Sequence, residues 1–333
     1  MNRIIPLSVI IALALGLLQS QALAKPTLTI YTYDAFAADW GPAPGVKKAF
    51  EAECDCQVDF VAMDSSIGIL RKVQLEGSGT KADIVLGLDT NLTDVAGKTG
   101  LFSPHGVTSQ NSALPIDWSS DLFLPFDFGY FAFVYDTNML ANPPGSFEEL
   151  AAMKGDFKVV IQDPRSSAPG LGLMLWIKEA YGDRAPEIWQ KIAPKILTIT
   201  KGWSEAYGLF LKGEADMVMS YTTSPAYHLI AEKKDHYKAA AFTEGHYMQV
   251  EVGAIVKSSQ QQDLARRFMA FMVSDKFQSI IPTTNWMYPA SKTALPAGFA
   301  SLYLPGKSLL MDGMRVEKNR KAWIKEWQAA ITK

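Results

Sequence analysis

The residues best suited to chemistry in this chain are aromatic. Trp40, Trp203 and Trp286 each stand beside a loop-forming residue, in Trp40-Gly41, Gly202-Trp203 and Asn285-Trp286. Loop tryptophans carried by a rigid scaffold point to binding. Tyr33, Tyr221 and Tyr227 close or follow short apolar runs, and polar groups accompany them: Asp34, Asp64-Ser65-Ser66, Asp89, Asp163, Ser166-Ser167 and Asn285. A set rich in aromatics and carboxylates suits a flat or cationic organic ligand. A cation over an aromatic face gains roughly 0.5–2 kcal/mol, and stacking adds about 0.5–1.5 kcal/mol per pair beyond burial. Tyr31 and Tyr288 suit core packing slightly better. Trp176, Trp189, Trp323 and Trp327 fall in helical patterns, where core packing is the natural reading.

Other chemistries find less support. Ser166-Ser167-Ala168-Pro169-Gly170 reads as a helix start, with Pro169 at the first helical position and hydroxyls and amides that could meet an anion or simply cap the helix. Thr222-Thr223-Ser224-Pro225 repeats the device. The sequence has no G-x-S-x-G elbow, no H-E-x-x-H, no phosphate-cradling G-x-x-x-x-G-K and no G-x-G-x-x-G after a strand, so no enzyme class is indicated and no cofactor or metal is expected. Of the four histidines, His228 and His236 flank a helix end and are expected to be solvated. Cys54 and Cys56 form an isolated C-x-C. It fits a structural disulfide or free thiols at a turn better than a metal site, which needs more ligands.

The elements that must position these residues alternate. Runs 28–33, 57–63 and 82–88 read as strands, and 44–54, 66–76 and 92–99 as helices. A second series follows: strands over 158–161, 197–199 and 216–221, and helices over 170–181, 185–192, 204–212 and 225–233. This alternation predicts an α/β fold with parallel strands. In such sheets ligands sit beyond the carboxyl ends of the strands, where the residues above fall. Two longer extended runs, 124–135 and 246–256, flank the second series and are read as strands crossing between two lobes. A helix opens at Ser146, residues 262–273 form another, 282–289 is an irregular aromatic loop, and a terminal helix spans about 316–331. The expected division is lobe one over 25–127 and 251–290, lobe two over 128–250, and a C-terminal helical segment over 291–333.

The first 24 residues set the compartment. Arg3 precedes an apolar stretch, and Ala22-Leu23-Ala24 supplies the small-x-small pattern of a signal-peptidase site. This reads as a signal peptide cleaved after Ala24 and not as a membrane span, so the mature protein is expected in the periplasm with no membrane insertion. Of the 333 residues, 309 remain. Cleavage removes one of the 32 basic residues, leaving 31 beside 34 acidic ones and a formal net charge of −3. That balance argues against nucleic acid or an anionic membrane as a partner.

Several segments carry a resemblance: YTYDAFAADWGPAPGVKKAFE (31–51), KADIVLGLDTNL (81–92), PFDFGYFAFVYD (125–136), QDPRSSAPGLGL (162–173), TKGWSEAYGLFLKGEADMVMSYTTSPAYH (200–228), EGHYMQVEV (244–252) and NWMYP (285–289). They closely resemble the periplasmic thiamine-binding proteins of bacterial thiamine ABC importers, over nearly the whole mature chain. The resemblance implies a two-lobed periplasmic-binding-protein fold of type II, related to ferric-ion-binding proteins. The cleft would lie between the lobes, with the two crossover strands as hinge. It implies capture of thiamine, and of its mono- and diphosphate, for delivery to a membrane permease with its ATPase subunit. By resemblance Tyr33, Trp40, Trp203, Tyr221, Tyr227 and Trp286 form the pocket, and Ser167 meets the hydroxyethyl or phosphate end. The family often has Glu-Asp-Gly after the second strand, where this chain has Asp64-Ser65-Ser66. Either Asp64 supplies the carboxylate from a shifted loop or Ser65 replaces a charge-assisted hydrogen bond with a neutral one, which contributes about half as much. Two other readings are a ferric-ion carrier, for which Tyr221 and Tyr227 are not adjacent, and a thiamine-degrading enzyme, whose nucleophile would have to be Cys54 or Cys56.

Overall fold

The structure, a computed structural model, describes residues 25–108 and 111–332, so the stretch read as a signal peptide lies outside the described residues. Strands β1 (Thr27–Tyr33) and β2 (Gln57–Met63) run parallel, in register from Thr27↔Gln57 to Tyr33↔Met63. Helix Ala43–Cys54 makes the crossover that a parallel pair requires. Strand β3 (Ile84–Asp89) joins the other edge of β1, and all six of its residues are buried. Its near-continuous apolar run is what a strand covered on both faces needs. A short β4 (Phe102–Ser103) follows.

The two long runs form β5 (Leu124–Asp136) and, later, β10 (His246–Val256). Between them lie β6 (Val159–Gln162), β7 (Ile196–Thr200), β8 (Met217–Tyr221) and β9 (Tyr237–Ala239). Short strands β11 (Tyr288–Pro289) and β12 (Ser308–Leu309) complete the set, and the main order is β2-β1-β3-β10-β5-β8-β6-β7. The first half of β5 pairs with β10 and β11, while Phe131–Tyr135 pairs with β8. The end of β10 pairs with β3. Strand β5 therefore links the two groups of strands, with its first half beside β10 and its second beside β8.

Aromatic packing builds a core on each side. In the first lobe Phe50, Phe268, Phe271 and Phe277 meet mostly edge to face. In the second, Phe147, Trp176 and Phe242 do the same. The terminal helix, Gly313–Ile331, begins before Val316 because Asp312 caps it, accepting the Arg315 N–H at 2.9 Å. Ion pairs Lys98–Glu317, Arg315–Glu179 and Lys178–Glu326 tie this helix to elements of both lobes.

Three local expectations need correction. The 282–289 segment is not wholly irregular: a short helix, Ile281–Thr284, precedes β11. The 225–233 helix holds α geometry only over Pro225–Tyr227, then continues as a π turn over His228–Glu232. His228 is not solvated. It is fully buried, stacks on Tyr237 at 3.8 Å and bonds Tyr207 and Glu232 through its two nitrogens. The π turn rotates the ring inward, where three tyrosines surround it, a placement that no local pattern signals. Cys54 and Cys56, for which bridge and free thiols were both open, are joined as a disulfide between helix and β2.

Candidate ligand-binding site

A cavity of about 580 Å³ lies between the lobes; the six aromatic candidates, Asp34, Asp64, Ser65, Ser66, Ser167 and Asn285 line it, whereas Asp89, Asp163 and Ser166 do not. Tyr33 ends β1. Its ring passes over Gly87 of β3, where a Cβ would lie 2.4 Å from the ring, so only glycine leaves room there. Gly87 also has φ +100°, which glycine adopts without strain. Trp40 stands at the rim and is 56 % exposed.

After β2 the chain turns through Asp64-Ser65-Ser66 into helix Ser66–Glu76. Ser65 caps that helix, its Oγ accepting the Gly68 N–H at 3.2 Å. Asp64 sits at the mouth, exposed, and forms an ion pair with Lys201 from the facing lobe. Ser167 caps helix Ala168–Tyr181 through Gly170 and is buried. A third helix, Trp203–Leu211, starts at Gly202 with no side-chain cap. Three helices thus begin at the cavity, each aiming backbone N–H groups and the positive end of its dipole inward. The Thr222–Pro225 stretch does not repeat this device. Its α segment is three residues long, and the Ser224 hydroxyl is taken up by Ser220 and by the Tyr221 N–H.

The aromatic walls come from both lobes. Trp203 lies 4.9 Å from Tyr207 in a stacked pair, and its indole N–H donates to Ser220 Oγ at 2.8 Å. Tyr221 leans on Phe131 and donates to Gln249 at 3.1 Å. Tyr227 meets Trp286 edge-on at 5.4 Å, across the cleft. Trp286 has φ +57°, a left-handed backbone that costs a non-glycine residue about 1–3 kcal/mol and persists only where the surroundings impose it. Tyr31 and Tyr288 do not line the cavity, in keeping with a core role.

Sequence reasoning missed the floor. Glu251 of β10 lines the cavity, and Asp127 of β5 lies directly opposite it in the ladder. The Tyr33 hydroxyl donates to Glu251 at 2.8 Å, Gln249 donates to its other oxygen, and the Asn285 amide bridges Asp127 and Glu251. Burial pushes the Glu251 carboxyl up to about 7. Burial, then the charge of Glu251, hold Asp127 well above the usual carboxylate range. Burial likewise keeps the Tyr33 and Tyr221 hydroxyls protonated, as donors. A signal was present: Asp127 and Glu251 each interrupt a long apolar strand, and a buried charge is costly unless something answers it.

Neither cysteine lines the cavity, and both are held in the disulfide. Among the described residues no cluster of His, Cys, Asp and Glu is arranged to hold a metal ion.

The pattern of the family described as bacterial extracellular solute-binding protein matches residues 28–279. A thiamine-binding periplasmic protein from Escherichia coli K12 is 57 % identical over 310 residues, covering 93 % of this chain and 95 % of that protein. The solved structure of a periplasmic thiamin binding protein superposes with a TM-score of 0.91 at 57 % identity, covering 93 % of this chain and 97 % of that one. A periplasmic binding protein from Actinobacillus pleuropneumoniae, with fructose-6-phosphate bound, shares the fold at TM-score 0.77 and 20 % identity, covering 93 % and 99 %.

Proposed function

The chain belongs to the bacterial extracellular solute-binding proteins, and we propose that it captures thiamine between its lobes and delivers it to the permease and ATPase of an ABC importer. The observation that carries this reading is the make-up of one cavity: aromatic walls from both lobes, Tyr33, Trp40, Trp203, Tyr221, Tyr227 and Trp286, over an acidic floor at Glu251. Thiamine has a permanent thiazolium cation and a flat aminopyrimidine. The first matches aromatic faces and a carboxylate; the second matches stacking and hydrogen bonding. A cavity of about 580 Å³ is of the size that takes such a molecule.

The three helix N-termini support a further extension to thiamine monophosphate and diphosphate, whose phosphates would lie near Ser66, Ser167 and Trp203. The hinge is assigned to β5 and β10, with lobe one over 25–127 and 251–290 and lobe two over 128–250. Binding is the whole task in this reading: the protein performs no catalysis and carries no cofactor or metal. The mature protein is placed in the periplasm after cleavage behind Ala24. No helix among the described residues is long and apolar enough to cross a membrane.

The test is calorimetric titration of the mature protein with thiamine and each phosphate. Submicromolar binding of thiamine is expected. Absence of heat with all three ligands would overturn the reading.

A further inference from the structure

The acidic floor has a consequence for how the cavity selects its ligand. Glu251 and Asp127 face each other across the two crossover strands. Asp127 is completely buried, and Glu251 is 5 % exposed where it lines the cavity. The groups around the pair are neutral or acidic: Tyr33 from β1, Asp89 from β3, Tyr221 from β8, Gln249 from β10 and Asn285 from the loop before β11. Arg320 of the terminal helix faces Asp89, on the far side of Glu251 from Asp127. Two adjacent carboxyls in such a place cannot both ionise, and they hold a proton between them. Asp127 Oδ1 is buried without a hydrogen-bond partner, so a proton on one of the two carboxyls is what would satisfy it.

We propose that Glu251 is the counter-ion for the ligand's positive charge, and that the Asp127–Glu251 pair releases a proton to solvent when a cationic ligand enters. The inference rests on the proposed function, in which the thiazolium of thiamine is that cation. No bond other than the O–H bond is broken. The carboxyl loses its proton, and the aromatic walls and the new carboxylate together hold the cation. A neutral molecule of similar shape leaves the pair protonated and gains nothing from the floor, so the cavity discriminates by charge as well as shape. The sign follows. The ligand's charge lowers the carboxyl's pKa, so binding is strongest where Glu251 is already ionised. Below its titration near 7 the affinity falls by about tenfold per pH unit.

The experiment is calorimetry on the mature chain in two buffers of different protonation enthalpy, between about pH 6 and about pH 8, with the free ligand's own protonation measured separately and subtracted. Thiamine should release about one proton near the acidic end and none near the basic end. A neutral hydroxyethylthiazole should release none across the range. Glu251→Gln should bind thiamine at least about tenfold more weakly near pH 8, with a flat pH profile and no proton release. Tight thiamine binding with neither proton release nor pH dependence in the unaltered protein would overturn the inference while leaving the function intact. No thiamine binding at any pH would overturn the function and this inference with it. Should the variant fail to fold, the proton count on the unaltered chain decides alone.

Discussion

Trp286 shows what a single residue contributes. Its left-handed backbone is a strain that glycine would not feel, yet the sequence places an indole there, at the cleft and against Tyr227. Trp286→Gly should leave folding stability within about 1 kcal/mol while weakening thiamine binding at least tenfold. Thermal melts beside calorimetry separate the two effects, and a glycine variant that binds as tightly would remove Trp286 from the pocket. Trp203→Ala and Tyr221→Ala should each weaken binding by roughly tenfold to hundredfold, since each loses a stacking face of the wall. Ser65→Asp keeps a capping oxygen on helix Ser66–Glu76 and adds a negative charge beside the mouth. It should tighten thiamine binding a few-fold and weaken thiamine diphosphate, read as a change in the ratio of their dissociation constants.

Strand β10 carries titration behaviour that belongs to the element. His246 is fully buried at its start; one ring nitrogen bonds the Phe131 carbonyl at 2.7 Å, and the other accepts the Phe242 N–H at 3.0 Å. That geometry holds the neutral ring in one tautomer. Burial lowers its pKa to about 4 from the ordinary value of 6.5. A depressed value in the folded state means the stabilisation is present above the unfolded value and is lost as pH falls through the folded one. Stability should therefore drop between about pH 6.5 and about pH 4, by up to about 3 kcal/mol from this group. His246→Gln, followed by denaturant unfolding at several pH values, should flatten that drop; an equally steep loss in the variant would clear His246. The element before β2 makes a contrasting case. The Cys54–Cys56 bridge closes a very short loop at a helix end and does not line the cavity. Removing it with paired serines should cost about 1–2 kcal/mol of stability and leave thiamine affinity unchanged.

At the scale of the whole molecule, binding is a meeting of lobes. The mouth is crossed by Asp64–Lys201 and by Arg71 donating to the Arg165 carbonyl at 3.4 Å. Both contacts are exposed, and an exposed pair contributes about 0–1 kcal/mol. Lys201→Ala should accordingly change thiamine affinity less than about fivefold, and most of that change should vanish at high salt. Ligand bound between the lobes stabilises the closed fold by mass action. Thiamine at about 100 times its dissociation constant should add about 2.7 kcal/mol of stability, read as a rise of several degrees in the melting temperature.

Much of this was legible in the residues. Strand and helix alternate in the chain with apolar periods that allow few other solutions, and the helix over 185–192 and the strand over 57–63 begin and end where their patterns do. The aromatic lining of the cavity was legible because turn-forming neighbours and strand ends betray loops that face the cleft, although the same reading also offered Asp89, Asp163 and Ser166, which do not line it. What escaped was non-local. Asp127 and Glu251 lie 124 positions apart and meet only because β5 and β10 pair in one register. His228 is buried by a π turn and by tyrosines brought from 207 and 237. Asp64 lines the cavity as the sequence suggests, but its ion pair joins it to Lys201, 137 positions away on the other lobe. Local sequence determines which faces are apolar and where the chain must turn. Which buried charges share a proton, and which carboxylate is left for a cation, depends on distances between strands, and only the folded molecule sets those.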